Sequence, residues 1–172
     1  MILQSPRLTL RPLEPQDVAA MHGLMSDSEV MAYWDVPAIE DQALTAQIIE
    51  AQLTVMDRGA AYSWAMSRTD DQAFVGCCSL SEIDRWHKRA ELGFITGKDF
   101  WGEGLTFEAM QAVIHHAAQH LRLRRLCART HVGNIRSVRL LRRLGFEQEG
   151  VLRGHVERAG ERRDCLMFGL LL

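Results

Sequence analysis

Hydrophobic positions along the chain change period several times, and each change marks a predicted element. Leu8, Leu10 and Leu13, set among Arg7, Thr9 and Arg11, begin with the period of two of a half-buried strand, and Pro12 predicts an edge position for it. Asp17 then offers a cap for a helix running to about Ser26. A second helix is predicted over 39–58, with Ala43, Ile48, Leu53 and Met56 on its buried side. Between the two lies a turn-prone link, MAYWDVP at 31–37. Residues 61–67, 74–80 and 89–95 read as three strands joined by the polar turns TDDQ and DRWHK, which are short enough for hairpins and so predict an antiparallel meander. After Gly97, Gly102 and Gly104 the period becomes helical to about His120, with Leu105, Ala109, Ala112, Val113, Ala117 and Leu121 along one face. A strand at 126–130, a helix at 134–144 ended by Gly145, and strands at 146–152 and 166–172 complete the pattern.

This order predicts an α+β fold, a mixed and mostly antiparallel central sheet flanked by helices. The strand ending near Ile95 and the strand at 126–130 are joined by a helical crossover, so they are expected as parallel neighbours with a cleft at their ends. No internal repeat or low-complexity linker interrupts the 172 residues, and a single domain over 1–172 is expected. Hydrophobic residues at 47% and charged residues at 24% are those of a chain that buries a core. A net charge of −2 argues against a surface built as a whole for nucleic acid or an anionic membrane. Pro6 and Arg7 precede any apolar run of leader length and no run approaches a membrane span, which leads to an expectation of a cytoplasmic protein. Cys77, Cys78, Cys127 and Cys165 show no C-x-x-C spacing, and the adjacent pair would point to opposite faces of a strand; reduced core thiols are expected, not a zinc site.

The segment richest in chemistry is FWGEGLTFEA at 100–109, a glycine-containing turn that leaves a strand and opens a helix. Glycines allow positive φ and close approach of a ligand, and the first amides of a helix are unpaired at the positive end of its dipole, so the turn suits an anion such as a pyrophosphate. There is no G-x-x-x-x-G-K-[ST], nor the third glycine of a dinucleotide fingerprint, which leaves a different phosphate-bearing cofactor.

Four blocks together resemble the GNAT superfamily of N-acetyltransferases, and within it the branch of ribosomal-protein alanine and serine N-terminal acetyltransferases. They are RLTLRPLEPQD from Arg7, AELGFITGKDFWGEGLTFEA from Ala90, NIRSVRLLRRLGFEQEGVLR from Asn134 and ERRDCLMFGLLL from Glu161. The resemblance implies a splayed parallel strand pair with acetyl-CoA in the opening. It assigns Phe94, Ile95 and Thr96 to the pantetheine, the amides of Trp101, Gly102, Glu103, Gly104, Leu105 and Thr106 to the pyrophosphate, and Asn134 to the thioester end. Ile95 would also offer an N–H to the thioester carbonyl. Ser137, one helical turn after Asn134 and on the same face, is assigned to hydrogen bonding or protonating the sulfur. The chain departs from the family pattern at Asp99, at Thr106 and Phe107, and at Leu141, where many members carry a tyrosine that protonates the thiolate. As the base that deprotonates the amine the resemblance suggests Glu91, with Glu82 on the preceding strand as a second candidate and water-assisted attack as a third. Tyr33 and Trp34, with Asp35, are implied as the acceptor wall.

Other features carry less. His115, His116 and His120 lack the Glu of H-E-x-x-H and are expected on the surface or in the core, not as metal ligands; His131, just after a strand at the cleft, is expected as a loop residue, with contact to substrate as the alternative. Arginines from 122 to 143 form a basic region compatible with a solvated helix, with coenzyme phosphates, or with a rival nucleic-acid-binding role. The expected acceptor is a protein or peptide α-amine; the alternatives are a small-molecule amine and an acyl-CoA sensor without turnover. The residues leave monomer and homodimer equally open.

Overall fold

The computed structural model describes residues 1–172. An eight-stranded sheet runs through the molecule in the order β1-β2-β3-β4-β5-β6-β8-β7. Its strands are β1 Leu3–Gln4, β2 Leu8–Pro12, β3 Tyr62–Arg68, β4 Phe74–Asp84, β5 Arg89–Thr96, β6 Arg125–His131, β7 Glu147–Arg158 and β8 Glu161–Leu171. The helices are α1 Val18–Met25, α2 Gln42–Asp57, α3 Leu105–Gln119 and α4 Ile135–Arg143. All pairings are antiparallel except β5 with β6.

The pleat sends alternate side chains to two separate cores. On one face Leu8, Leu10, Trp64, Leu80, Leu92, Leu126 and Phe168 pack with Leu105, Met110 and Val113 of α3 and Leu141 of α4. On the other, Ala65, Cys77 and Ile95 pack with Met21 and Met25 of α1, Ile49 of α2 and Met31. Adjacent Cys77 and Cys78 fall in different cores, as period two requires. Burial pushes the Cys77 thiol up to about 12, which leaves it un-ionised and poorly nucleophilic.

Several expectations are corrected. A two-residue strand, Leu3–Gln4, precedes the predicted first strand and is too short to show a period. It pairs only with Leu10 and Thr9, so Pro12 still lies on an open edge, beyond its reach. Asp17 does not cap α1: its carboxylate accepts the Glu14 N–H at 2.8 Å and both guanidinium ends of Arg11 at 2.8 and 2.6 Å, bonds a charged fork makes more strongly than a helix amide does. α2 starts at Gln42, capped by Asp41 through the Ala43 N–H at 2.8 Å; Thr45 and Ile49 form its buried side while Ala43 is exposed. Leu121 lies beyond the end of α3, whose face includes the buried His116 instead. That histidine sits edge-on to Trp64 and stacks on His120, 5.0 Å between centroids, so it belongs to an aromatic cluster. β7 and β8 are longer than predicted because they form one hairpin arm whose outer half, past Leu152, carries polar residues with little apolar alternation.

Candidate active site

β5 and β6 pair over only three rungs, Arg89 with Arg125, Ala90 with Leu126 and Glu91 with Cys127. Past Glu91 the strands diverge, β5 remaining paired to β4 and β6 to β8. The backbone groups of β5 on that side are therefore unpaired and open, a short ladder awaiting an extended partner. Register decides which residues offer them. Gly97 N–H donates to Val75 O at 2.9 Å, and hydrogen-bonded pairs recur every second residue, so Cys77 and Ile95 exchange bonds across β4 and β5. Phe94 and Thr96 then face the opening, and the expected N–H from Ile95 is directed into the sheet. The Thr96 carbonyl confirms this direction, since it accepts the indole N–H of Trp101 at 2.9 Å on the open side.

The turn after β5 is held from three sides. Thr96 and Thr106 hydroxyls meet at 2.9 Å, tying the strand end to the first turn of α3. Arg7 reaches Glu108 of α3 at 2.6 Å and the Glu103 carbonyl at 2.8 Å. Gly102 and Gly104 have φ of +83° and +80°, and no atom crowds either Cβ position closely, so their requirement is conformational. Gly104 directly precedes α3, so the unpaired amides of that helix open on the turn.

α4 forms the opposing wall. Asn134 caps it, its Oδ1 accepting the Ser137 N–H at 3.1 Å, which leaves the Asn134 NH₂ for the cleft. The Arg136 guanidinium lies 3.7 Å from the Trp101 ring centroid and that of Arg143 4.0 Å from Phe107, so both engage aromatic faces of the turn. A cavity of about 390 Å³ results, lined by Phe94, Ile95, Thr96, Trp101, Gly102, Gly104, Thr106, Asn134 and Ser137 among the predicted residues. Glu103 and Leu105 do not line it: Glu103 is exposed and Leu105 is 1% exposed in the core. Phe100, Phe107, Arg136, Arg139, Leu140 and Arg143 do, and were not among the predicted site residues; Phe100 and Phe107 fell inside the turn segment 100–109 and the arginines inside the basic region read as compatible with coenzyme phosphates, while Leu140 carried no signal.

A second cavity, about 160 Å³, adjoins the first and shares Tyr33, Trp34, Phe94, Asn134 and Ser137 with it. Glu91 lines it at the vertex of the strands, its carboxyl raised above the ordinary 4.5 by burial, with the charge of Arg129 acting against that rise. Glu82 lines neither cavity: it is exposed at φ +50°, in the stretch where the β4–β5 register shifts. Tyr33 packs against Gly133, where a Cβ would come within 3.0 Å of its ring, and the carbonyls of Met31, Ala32 and Trp34 all accept from Arg158 at 2.7, 2.7 and 3.1 Å. Asp35 accepts from Arg129 at 2.9 Å and meets His131 Nε2 at 3.1 Å. His131 is no loop residue: it ends β6 and is 5% exposed. Leu141, where the family pattern has a tyrosine, is buried in the core.

The two cavities adjoin at a boundary that includes Asn134 and Ser137, so molecules held in each would approach one another there. Comparison with known proteins bears on what those molecules are. Residues 7–147 match the family model described as Acetyltransferase (GNAT) domain. The chain is 32% identical over 171 residues to the uncharacterized N-acetyltransferase p20 of Bacillus licheniformis, covering 98% of this chain and 95% of that one. It is 30% identical over 115 residues to the ribosomal-protein-serine acetyltransferase of Escherichia coli, covering 67% and 63%. Among solved structures, a ribosomal L7/L12 alpha-N-protein acetyltransferase in complex with coenzyme A superposes with a TM-score of 0.91 at 24% identity, covering 100% of this chain and 98% of that one, a likeness of fold. No helix here is long and apolar enough to cross a membrane.

Proposed function

The chain belongs to the GNAT acetyltransferase family and is an acyltransferase, and from that premise we propose that it moves acetyl from acetyl-CoA to the α-amine of a protein or peptide, by direct attack within a ternary complex. One observation carries the reading: the open edge of β5, the turn residues Gly102, Gly104 and Thr106 and the start of α4 line a single cavity that shares Ser137 with a second one beside it. In this reading Phe94 and Thr96 pair with the pantetheine amides, and the turn amides hold the pyrophosphate. Asn134 orients the thioester end. The Ser137 hydroxyl, which makes no bond to the protein, gives the departing sulfur its proton. Glu91 supplies negative charge where a cationic amine enters, and Tyr33 and Trp34 shape the acceptor wall. Glu82, outside both cavities, has no part in it.

The acceptor class rests on the similarity to the ribosomal-protein-serine enzyme and on the open mouth beside Tyr33 and Trp34, both more than a third exposed. The test is a thiol-release assay with acetyl-CoA and a panel of peptides with free N-termini, amino acids and polyamines. Turnover confined to peptides is the expected result. Turnover with small amines alone would move the acceptor to that class, and acetyl-CoA raising the melting temperature without thiol release from any amine would make the chain a sensor.

A further inference from the structure

The acceptor half of the cleft holds a proton acceptor that this scheme has not used. Resting on the acetyl-transfer reading, we infer that His131 takes the proton from the incoming ammonium, with Asp35 holding the imidazole in place and Glu91 acting as a counter-charge.

The geometry is that of an oriented base. His131 is the last residue of β6, buried, and lines the 160 Å³ cavity that Glu91 and Ser137 also line. Its Nε2 lies 3.1 Å from Asp35 Oδ1, and the other oxygen of that carboxylate is held by Arg129 at 2.9 Å. A carboxylate accepts only, so the neutral ring carries its proton on Nε2 and its lone pair on Nδ1. Nδ1 has no partner in the protein and is not sealed from solvent. The contact joins residues 96 apart in sequence, which fixes the ring against the acceptor wall. The other ionisable groups turned to this end are Glu91 on β5, Arg129 on β6, Asp164 and Cys165 on β8, and His155 on β7.

Geometry favours the imidazole over Glu91: the ring is held in one orientation by Asp35 and offers an unpartnered Nδ1, whereas no hydrogen bond holds the Glu91 carboxylate, which lines the same cavity.

The step balances. The ammonium loses one proton to Nδ1, and the freed nitrogen lone pair forms the N–C bond at the thioester carbonyl. As the tetrahedral intermediate collapses, the C–S bond breaks with its electron pair on sulfur. The second nitrogen proton reaches that sulfur through the Ser137 hydroxyl, and the imidazolium releases its proton to solvent.

Two measurements on the full chain test this. In ¹⁵N-histidine NMR of the acetyl-CoA complex, His131 should show the Nε2–H tautomer at neutral pH and lose that preference in Asp35→Asn. A proton resident on Nδ1 of the neutral ring would overturn the assignment whether or not an acceptor is known. In the peptide assay, His131→Ala should lower kcat by about 100-fold at neutral pH, recover as the pH approaches that of the free amine, and respond to added imidazole. Asp35→Asn should lose about 10-fold with the same change in pH profile, while Glu91→Gln should mainly raise the acceptor KM. His131→Ala within threefold of wild type, with Glu91→Gln flattening the pH profile, would transfer the role to Glu91. Failure of wild type to turn over any amine would instead defeat the transfer reading, and acetyl-CoA affinity measured in parallel separates that failure from this one.

Discussion

The two walls of the cleft are built in different ways. The cofactor wall closes many of its bonds between near neighbours in sequence: Thr96 bonds Thr106 ten residues on, Trp101 bonds Thr96 five residues back, and Asn134 caps its own helix through Ser137, with Arg7 as a long-range brace on Glu103 and Glu108. The acceptor wall is held by side chains that reach across the chain, Asp35 to Arg129 and His131 over 94 and 96 residues and Arg158 to Met31 over 127. A local device needs only the backbone conformation its own sequence encodes. A long-range one exists only after the sheet has formed, so it is free to differ between relatives that share the cofactor. In the proposed reading the cofactor wall sets the reaction and the acceptor wall selects who undergoes it.

If that division is right, substitutions in the two walls move different quantities. The largest effect is expected from Ser137→Ala, at the junction of the cavities: kcat should fall by about 100-fold, the scale of general-acid assistance, while acetyl-CoA affinity changes less than threefold. Unchanged turnover would remove Ser137 from the chemistry. Gly104→Val comes next. At φ +80° a β-branched residue costs roughly 1–2 kcal/mol or more, so the turn relaxes to another conformation and acetyl-CoA should dissociate about 10-fold more readily by calorimetry. Wild-type affinity would show that the turn amides do not grip the cofactor. Arg158→Ala is smaller still. It frees the carbonyls of Met31, Ala32 and Trp34, so the acceptor KM should rise about 5-fold with cofactor affinity unchanged, a charge-assisted hydrogen-bond loss softened by solvent. An equal change in both constants would dissolve the distinction between the walls.

The same division explains what could be read in advance. Period-two and helical patterns disclosed the meander, the crossover and α4, and the glycine turn pointed to an anion site, because each is a local rule; Asn134 and Ser137 entered through the family resemblance. The register that turns Phe94 and Thr96 outward in place of Ile95 depends on pairing with β4, a fact that no single strand contains. Asp17 satisfied every local rule for a cap yet was taken by Arg11 and the Glu14 amide. His131 looked like a loop residue because β6 extends one residue further when β8 is there to pair Cys165 with it. Arg158 carried no signal at all, and Asp35 entered only through the family resemblance with its partners Arg129 and His131 unread, since those partners lie on elements brought together by the sheet alone.

Glu91 offers the finest test, because it stands where the walls meet and owes its properties to both. Burial raises its carboxyl above the ordinary 4.5, the negative charges of Glu82 and Asp35 add to that, and Arg129 subtracts from it. A carboxyl whose folded value exceeds its unfolded one stabilises the fold below the unfolded value and loses that contribution as the pH rises through the folded value. Glutamine mimics the protonated form at every pH. Glu91→Gln should therefore melt slightly higher than wild type at pH near 8, on the order of 1 °C for a half-buried group in a chain of this size, and the difference should shrink as the pH falls and vanish only well below 4.5. The opposite sign at neutral pH would mean that the attraction of the Arg129 charge outweighs desolvation, and the vertex would then be a structural anchor of the acceptor wall rather than a charge held in reserve for an incoming ammonium.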